Sequence, residues 1–155
     1  MSEAAPRWQA WVDGTASLNP GRLGVGLVLV APDGERRELA RPLGRNGCNN
    51  SAELLAIVEA LTQARRAGAQ CLTIHSDSRF AVDCLNGRDD TAVPALASLL
   101  AETRQTLAGF AMVEIAWLPR HRNGDADRLA RGAVGLPPKP APTTPGKHRQ
   151  RKRRR

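Results

Sequence analysis

Aromatic residues are scarce in this chain of 155 residues, at 3% of the total, and tyrosine is absent. A surface of stacked aromatic rings for single-stranded nucleic acid is therefore not expected. The three cysteines, Cys48, Cys71 and Cys84, are odd in number and form no CxxC pair. A reducing compartment, hence the cytoplasm, is the simplest setting for such a chain.

Long apolar segments are also missing, because no run approaches the roughly 20 residues of a membrane-spanning helix. The first residues, Met-Ser-Glu-Ala-Ala-Pro-Arg, lack the apolar core of a signal peptide. We therefore expect no membrane partner. The length is enough for one globular domain with a core, and 41% of the residues are hydrophobic.

Lysine does not occur before residue 139, and this absence divides the chain in two. Residues 135–155 contain eight of the 23 Lys and Arg residues, five prolines and no acid. Residues 1–134 hold the other 15 basic residues against 15 acids, so the net charge of +8 belongs to the C-terminal segment. Such a composition cannot bury enough surface to fold. We predict a folded domain over residues 1–134 and a disordered, Pro-rich basic tail over 135–155.

Apolar periodicity predicts the element order β-β-β-α-β-α-α-β-α. Strands are expected at residues 7–13, 23–30, 35–43, 71–76 and 112–118, and helices at residues 50–67, 80–85, 96–107 and 125–134. Turn signals separate the first three strands, which makes them an antiparallel meander. Later strands alternate with helices, so their pairings should be parallel. The fold class is therefore α/β, a five-stranded mixed sheet with helices on both faces.

Glu53 is the first residue that indicates a function. Apolar residues follow it at i+3, i+4 and i+7, so its carboxylate lies on or beside the buried face of the first helix. A buried Glu is costly unless it is paired, protonated or bound to a metal. The cations Arg65 and Arg66 are about three turns away, which favours a metal.

Three further acids lie near strand ends: Asp13 and Asp77 end strands, and Asp127 opens the last helix. Ligands gather at strand ends in open α/β sheets, and four carboxylates there would repel one another without a cation. Oxygen ligands suit Mg²⁺ or Mn²⁺, and two such ions can hold the attacking and leaving oxygens of a phosphodiester. Taken singly, Asp13 also fits a turn, Asp77 a helix cap, and Asp127, like Asp125, a first helical turn.

Four blocks, in this order and with this spacing, make the chain resemble ribonuclease H of type 1. They are Val12-Asp13-Gly14-Thr15 with Asn19-Pro20-Gly21, Asn49-Asn50-Ser51-Ala52-Glu53, Ser76-Asp77-Ser78, and Trp117-Leu118-Pro119-Arg120-His121 with Asp127-Arg128-Leu129-Ala130. The Asp-Gly-Thr block alone is a weak signal. The Asn-Asn-x-x-Glu block followed by the terminal Asp-x-Leu-Ala block is specific.

The resemblance implies a metal-dependent endoribonuclease that cuts the RNA strand of RNA–DNA hybrids and leaves a 5′-phosphate. It implies that two Mg²⁺ ions, with Mn²⁺ as an alternative, are bound by Asp13, Glu53, Asp77 and Asp127, with Asp125 as second choice for the last. It also implies substrate contacts, through 2′-hydroxyls in the shallow minor groove, from Thr15, Asn19, Asn49, Asn50 and Arg79.

The resemblance gives His121 a catalytic role late in the reaction, in proton transfer or product release. The alternative is an ordinary solvated loop residue. His75 lies within a predicted strand and is expected to be structural, and His148, in the tail, is expected to carry no chemistry.

The chain also departs from the family pattern. Cys48 stands where many relatives have Thr, and a thiol is a poorer donor to a phosphate. Arg79 stands where some have Gln, which favours a phosphate contact over a groove contact. The loop from His121 to Asp127 is short. The basic helical protrusion of some bacterial members is absent, since residues 86–90 run directly towards the next helix.

Other functions remain as alternatives. Without the protrusion, phosphate affinity would have to come from elsewhere, and the basic tail is a candidate whose contribution should fall steeply with salt; otherwise the tail is a solvated extension.

A catalytically weak module of the same fold would bind RNA–DNA hybrid or structured RNA without cutting it. A 3′–5′ exonuclease is disfavoured, because Asp13-Gly14-Thr15 lacks the Glu of its usual Asp-x-Glu pair. We expect a monomer.

Overall fold

The computed structural model describes residues 5–140, and its element order is the one that periodicity predicts. The strands are β1 (Arg7–Ala16), β2 (Gly21–Val30), β3 (Arg36–Gly47), β4 (Cys71–Ser76) and β5 (Met112–Trp117). The helices are α1 (Asn49–Arg66), α2 (Arg79–Leu85), α3 (Pro94–Leu107) and α4 (Gly124–Ala133), with a 3₁₀ turn at Arg120–Arg122. Over the described residues, none of the helices combines the length and the apolar character that a bilayer crossing requires.

The five strands form one sheet in the order β3-β2-β1-β4-β5. The pairs β1–β2 and β2–β3 are antiparallel, and the pairs β1–β4 and β4–β5 are parallel. This confirms the predicted mixed sheet. The edge strand β3 is mostly exposed, as expected, but it ends at Gly47 rather than at residue 43, because its last residue pairs with Gly21 at the start of β2.

The predicted end of the first strand is wrong. β1 does not turn at Asp13 but continues to Ala16, because its last four residues keep pairing with β2. What ends there is the parallel ladder to β4, whose last pair is Val12 with Ser76. Asp13 and Asp77 are therefore the first residues beyond that pair, where the two interior strands β1 and β4 separate.

Two glycines let the helices approach the sheet on its opposite faces. A Cβ on Gly14 would lie 2.1 Å from the Ala52 carbonyl oxygen in α1, and a Cβ on Gly26 would lie 2.2 Å from the Ala126 carbonyl oxygen in α4. Asp13 pairs with Gly26, and Gly14 pairs with Val25, so the two glycines belong to alternate faces. Main chain therefore contacts main chain on both sides of β1 and β2.

The core lies mainly between the sheet and α1, and α3 packs on α1 from outside. The predicted apolar face of α1 is confirmed, because Ala56, Ile57 and Ala60 are fully buried. Glu53 is buried with them. The helix thus carries an acid into the interior close to the point where β1 and β4 separate.

The chain leaves α4 at Gly135, which has a φ of +74°, and then follows the helix. The Leu136 amide donates to the Arg131 carbonyl oxygen (2.9 Å), and Arg131 Nε donates to the Pro137 carbonyl oxygen (2.7 Å). The rest of the predicted tail, residues 141–155 with His148, lies outside the described residues.

Candidate active site

Three of the four predicted acids meet at the point where the interior strands β1 and β4 separate. Asp13, Glu53 and Asp77 each offer one carboxylate oxygen, and these oxygens lie within 4.8 Å of one another. Asp13 and Glu53 are 5% and 8% exposed, so two of the three charges have little access to water. The cluster forms part of the wall of an open cleft of about 1360 Å³.

Each acid is held by its own element. Asp13 is fixed by the β1–β2 ladder. The Gly14 amide donates to Glu53 Oε1 (3.1 Å), which ties the α1 carboxylate to β1. Asp77 is not the cap of α2, because Ser78 Oγ accepts from the Ala81 amide (3.1 Å) in that role. Asp77 is therefore left to face the cleft.

Both buried acids resist ionisation. Burial, together with the charge and hydrogen bond of Glu53 and the nearby Asp77 and Asp127, raises the pKa of Asp13 well above its ordinary value. Burial raises the pKa of Glu53 to about 7, and the charge of Asp77 adds to this, while hydrogen bonds from Asp13 and the Gly14 amide and the charge of Arg120 oppose it. The protein alone thus supplies too little positive charge for these carboxylates.

A divalent cation fits the donor set. All the converging atoms are carboxylate oxygens, the ligands that Mg²⁺ and Mn²⁺ prefer. Glu53 Oε2 is buried and has no hydrogen-bond partner among the described residues. A buried carboxylate oxygen without a partner is costly, and a bound cation would satisfy it.

Asp127, the fourth predicted acid, lies in the first turn of α4 and lines the same cleft. It is close enough to Asp13 to raise that residue's pKa. Its Oδ1 lies 3.5 Å from Nζ of Lys139, which also lines the cleft. Asp125 also lines the cleft, but its carboxylate forms an ion pair with Arg36 (2.8 Å) and is 60% exposed. This placement favours Asp127 over Asp125.

Sequence reasoning missed Asn123, which joins two walls of the site. Its Nδ2 donates to the Val12 carbonyl oxygen (2.8 Å) and to Asp77 Oδ2 (2.9 Å), and the residue is 2% exposed. Asn123 precedes α4, a position where Asn usually caps a helix with its side chain, but here it makes no such cap. The only sequence signal was an Asn before Gly124, which indicates a helix start and nothing more.

The predicted substrate residues Asn19 and Asn49 are linked to each other. Asn19 Oδ1 accepts from the Asn49 amide (3.1 Å), and Asn49 Oδ1 accepts from the Ala16 amide (3.0 Å). Both side-chain oxygens are therefore engaged by the protein. Their NH₂ groups are the donors left for a ligand, and such donors suit 2′-hydroxyl and base oxygens.

The predicted substrate residues other than Asn19 line the cleft, and so does His121. Thr15 and Asn50 lie on the side of β1 and α1, Arg79 is the first residue of α2, and His121 is in the 3₁₀ turn. Arg120, beside His121, was not singled out from the sequence, yet it lines the cleft and its charge acts on Glu53. The cleft is therefore lined by acidic, polar and basic side chains.

Cys48 lies directly before α1 without capping it. Ser51 Oγ lies 2.7 Å from the Cys48 carbonyl oxygen and 3.5 Å from its Sγ. Burial alone would raise the pKa of the Cys48 thiol, but hydrogen bonds with Ser51 and Asn50 outweigh it and the pKa is lowered.

His75 lies within the sheet rather than in the cleft. Its ring stacks on Trp11 (centroids 4.8 Å apart), and its Nε2 lies 2.7 Å from Gln9 Oε1. These contacts agree with the structural role expected for it.

Comparison with known proteins gives relatives over the same region. Residues 11–133 match the family described as "Reverse transcriptase-like". The chain is 36% identical to "Ribonuclease HI" of Halobacterium salinarum over 129 residues, or 83% of this chain and 64% of that protein. It is 30% identical to "Ribonuclease HI" of Synechocystis over 135 residues, or 77% of this chain and 82% of that protein.

Solved structures of such proteins share the fold. RNase H1 from Halobacterium salinarum has a TM-score of 0.78 at 36% identity and covers 83% of this chain and 97% of its own. LC11-RNase H1, solved in complex with an RNA/DNA hybrid, has a TM-score of 0.75 at 25% identity and covers 82% of this chain and 96% of its own.

The chain is shorter than several of these relatives. It spans 64% of the length of the halobacterial protein and 34% of the length of Rv2228c of Mycobacterium tuberculosis, to which it is 32% identical. The likeness therefore concerns the domain that contains the four acids.

Proposed function

Because this chain belongs to the type 1 ribonuclease H family, we propose that it is a metal-dependent endonuclease that hydrolyses the RNA strand of RNA–DNA hybrids. The observation that carries the proposal is the convergence of Asp13, Glu53 and Asp77 at the point where β1 and β4 separate. Three carboxylates with two of them buried are a poor arrangement for stability alone. They are a suitable one for holding a cation beside a phosphodiester.

Asp13, Glu53, Asp77 and Asp127 would hold two Mg²⁺ ions, or Mn²⁺ in their place. Bound there, the ions would lower the pKa of an attacking water and stabilise the charge on the leaving oxygen. The chain's own part is to fix the carboxylates: the Gly14 amide orients Glu53, and Asn123 orients Asp77.

The polar walls would bind the hybrid. The NH₂ groups of Asn19 and Asn49 remain as donors after their oxygens are engaged by the main chain, and Thr15 and Asn50 lie beside them. His121 also lines the cleft and would take part in proton transfer at the leaving group or in product release. We expect the protein to act as a monomer, and its three free cysteines suit a reducing cytoplasm.

The test is cleavage of matched, end-labelled duplexes: RNA–DNA, RNA–RNA and DNA–DNA. Each is incubated with Mg²⁺, with Mn²⁺ and with chelator. We expect metal-dependent cutting of the RNA strand in the hybrid, with 5′-phosphate ends. Binding of the hybrid without cutting in either metal, by folded protein, would contradict the enzyme and favour a hybrid-binding module.

Asp13→Asn should lower kcat by at least about a thousandfold. The neutral amide would hold a cation less well, so the charge that develops in the transition state would be less stabilised. Hybrid affinity in chelator should change little. Asp33→Asn is the matched control, since this exposed acid lies in the β2–β3 turn, where its side chain accepts from the Glu35 amide. Cutting by Asp13→Asn near the wild-type rate would refute the four-acid site.

A further inference from the structure

Arg79 is held over an aromatic ring at the rim of the cleft. Its Cζ lies 4.0 Å from the ring centroid of Trp117, the last residue of β5. Trp117 is 40% exposed, which is unusual for so large an apolar side chain in this domain. The face of the exposed ring is thus in contact with a cation.

The ring itself is attached to the acidic cluster. Trp117 pairs with Ser76 in the parallel ladder, and its Nε1 donates to the Asp77 carbonyl oxygen (3.2 Å). Asp77 and Arg79 are two residues apart and both line the cleft. Asp77, Trp117 and Arg79 therefore form one connected unit at the end of β4 and β5.

Stacking has a physical consequence for the arginine. A guanidinium lies flat on an aromatic ring and keeps its five N–H donors in the plane. The ring therefore restricts the long side chain without using its donors. The contact is worth about two- to fivefold in an equilibrium constant at an exposed site.

We propose that Trp117 is a positioning residue that holds Arg79 at the cleft rim, so that Arg79 donates to an oxygen acceptor of the hybrid next to the acids. The acceptor is a phosphate oxygen or a sugar or base oxygen of the groove. The inference rests on the proposed function, because it names part of the substrate grip of that site.

A double-mutant cycle tests the coupling. Hybrid Kd is measured in chelator for the wild type, Arg79→Ala, Trp117→Leu and the double variant, and KM and kcat are measured in Mg²⁺. We expect Kd to rise about tenfold for Arg79→Ala, about two- to fivefold for Trp117→Leu, and no further in the double variant than in Arg79→Ala. Arg66→Ala is the matched control, since it removes the same charge at the far end of α1.

Two conservative variants separate positioning from structure. Trp117→Phe keeps a ring for stacking but loses the donor to Asp77, so its Kd should stay near that of the wild type. Arg79→Lys keeps the charge without the planar stack, so its Kd should approach that of Arg79→Ala. These two variants also decide the question if Trp117→Leu fails to fold in thermal unfolding.

Three results would overturn the proposal. The first is additive losses of hybrid affinity in the cycle, and the second is a Trp117→Leu protein that binds the hybrid like the wild type. The third is a fall in the kcat of Trp117→Leu rather than a rise in its KM, which would mean that Trp117 acts through Asp77. If Arg79→Ala lowers the slope of log Kd against log salt by about one, the acceptor is a phosphate; an unchanged slope identifies a groove oxygen. Coupling in Kd without any cleavage by the wild type would keep this inference and refute the proposed function.

Discussion

Replacing Glu53 by Gln should stabilise the metal-free protein by an amount that grows from about pH 4.5 to pH 7 and is constant above pH 7. The folded carboxyl has a pKa of about 7, against an ordinary value of 4.5. Between these two pH values the folded chain binds more protons at Glu53 than the unfolded chain does, so stability falls as the pH rises. Each pKa unit is worth about 1.36 kcal/mol, which makes the cost about 3 kcal/mol above pH 7.

The amide should fit the same place. Gln Oε1 can still accept from the Gly14 amide, and its NH₂ group can donate to an Asp13 oxygen, which replaces the hydrogen bond that now joins the two carboxyl groups. We therefore expect equal unfolding free energies for the two proteins near pH 4.5. At pH 8 the variant should be more stable by about 3 kcal/mol, or roughly 6–12 °C in Tm for a chain of this size.

The assay is urea and thermal unfolding of both proteins in chelator from pH 4.5 to pH 8. Glu102→Gln, on the exposed side of α3, controls for the replacement itself. Added Mg²⁺ should stabilise the wild type more than Glu53→Gln at pH 8, because the cation binds the folded state and the variant lacks one of the carboxylates that would hold it. A difference between the two proteins that stays constant over this pH range would refute the reasoning.

Three further perturbations follow from the site. Asn123→Ala should lower the unfolding free energy by about 2 kcal/mol, since the buried Val12 carbonyl oxygen loses its donor; a loss under about 0.5 kcal/mol in urea unfolding would contradict this. Lys139→Gln should lower the Mg²⁺ concentration for half-maximal cleavage by about two- to fivefold, because an ammonium 3.5 Å from Asp127 competes with a cation; an equal or higher requirement would show no competition. Removal of residues 141–155, with seven basic residues, should flatten the slope of log Kd against log salt for the hybrid; an unchanged slope would exclude the tail from binding.

Periodicity was enough to predict the elements and the sheet, because the apolar pattern of each segment matches the face that it buries. It failed where a boundary depends on a partner strand. Asp13-Gly14-Thr15 has the composition of a turn, yet β2 keeps it extended through Ala16. β3 is longer than predicted for the same reason.

The acids could be predicted because a carboxylate on an apolar helix face needs an explanation. The groups that orient them could not. Asn123 looks like a helix cap, and only the fold brings its amide to Val12 and Asp77. Likewise, Trp117 lies 38 positions after Arg79 in the sequence, and only the β4–β5 pairing brings their side chains together.

The two glycines that seat the helices set a distance that no side chain can adjust. At Gly14 and Gly26 the contact is between main chains, so the spacing of α1 and α4 from the sheet depends on atomic radii that are the same in every sequence. Substitutions elsewhere in the core can therefore accumulate without moving Glu53 relative to Asp13. A single methyl group at Gly26 would instead push α4 away from β2 and carry Asp127 with it, and misplacement by about 1 Å can cost on the order of a hundredfold in rate. The two kinds of core position therefore differ: a substitution at a larger residue changes stability, whereas one at Gly14 or Gly26 also moves a helix that carries an acid of the site.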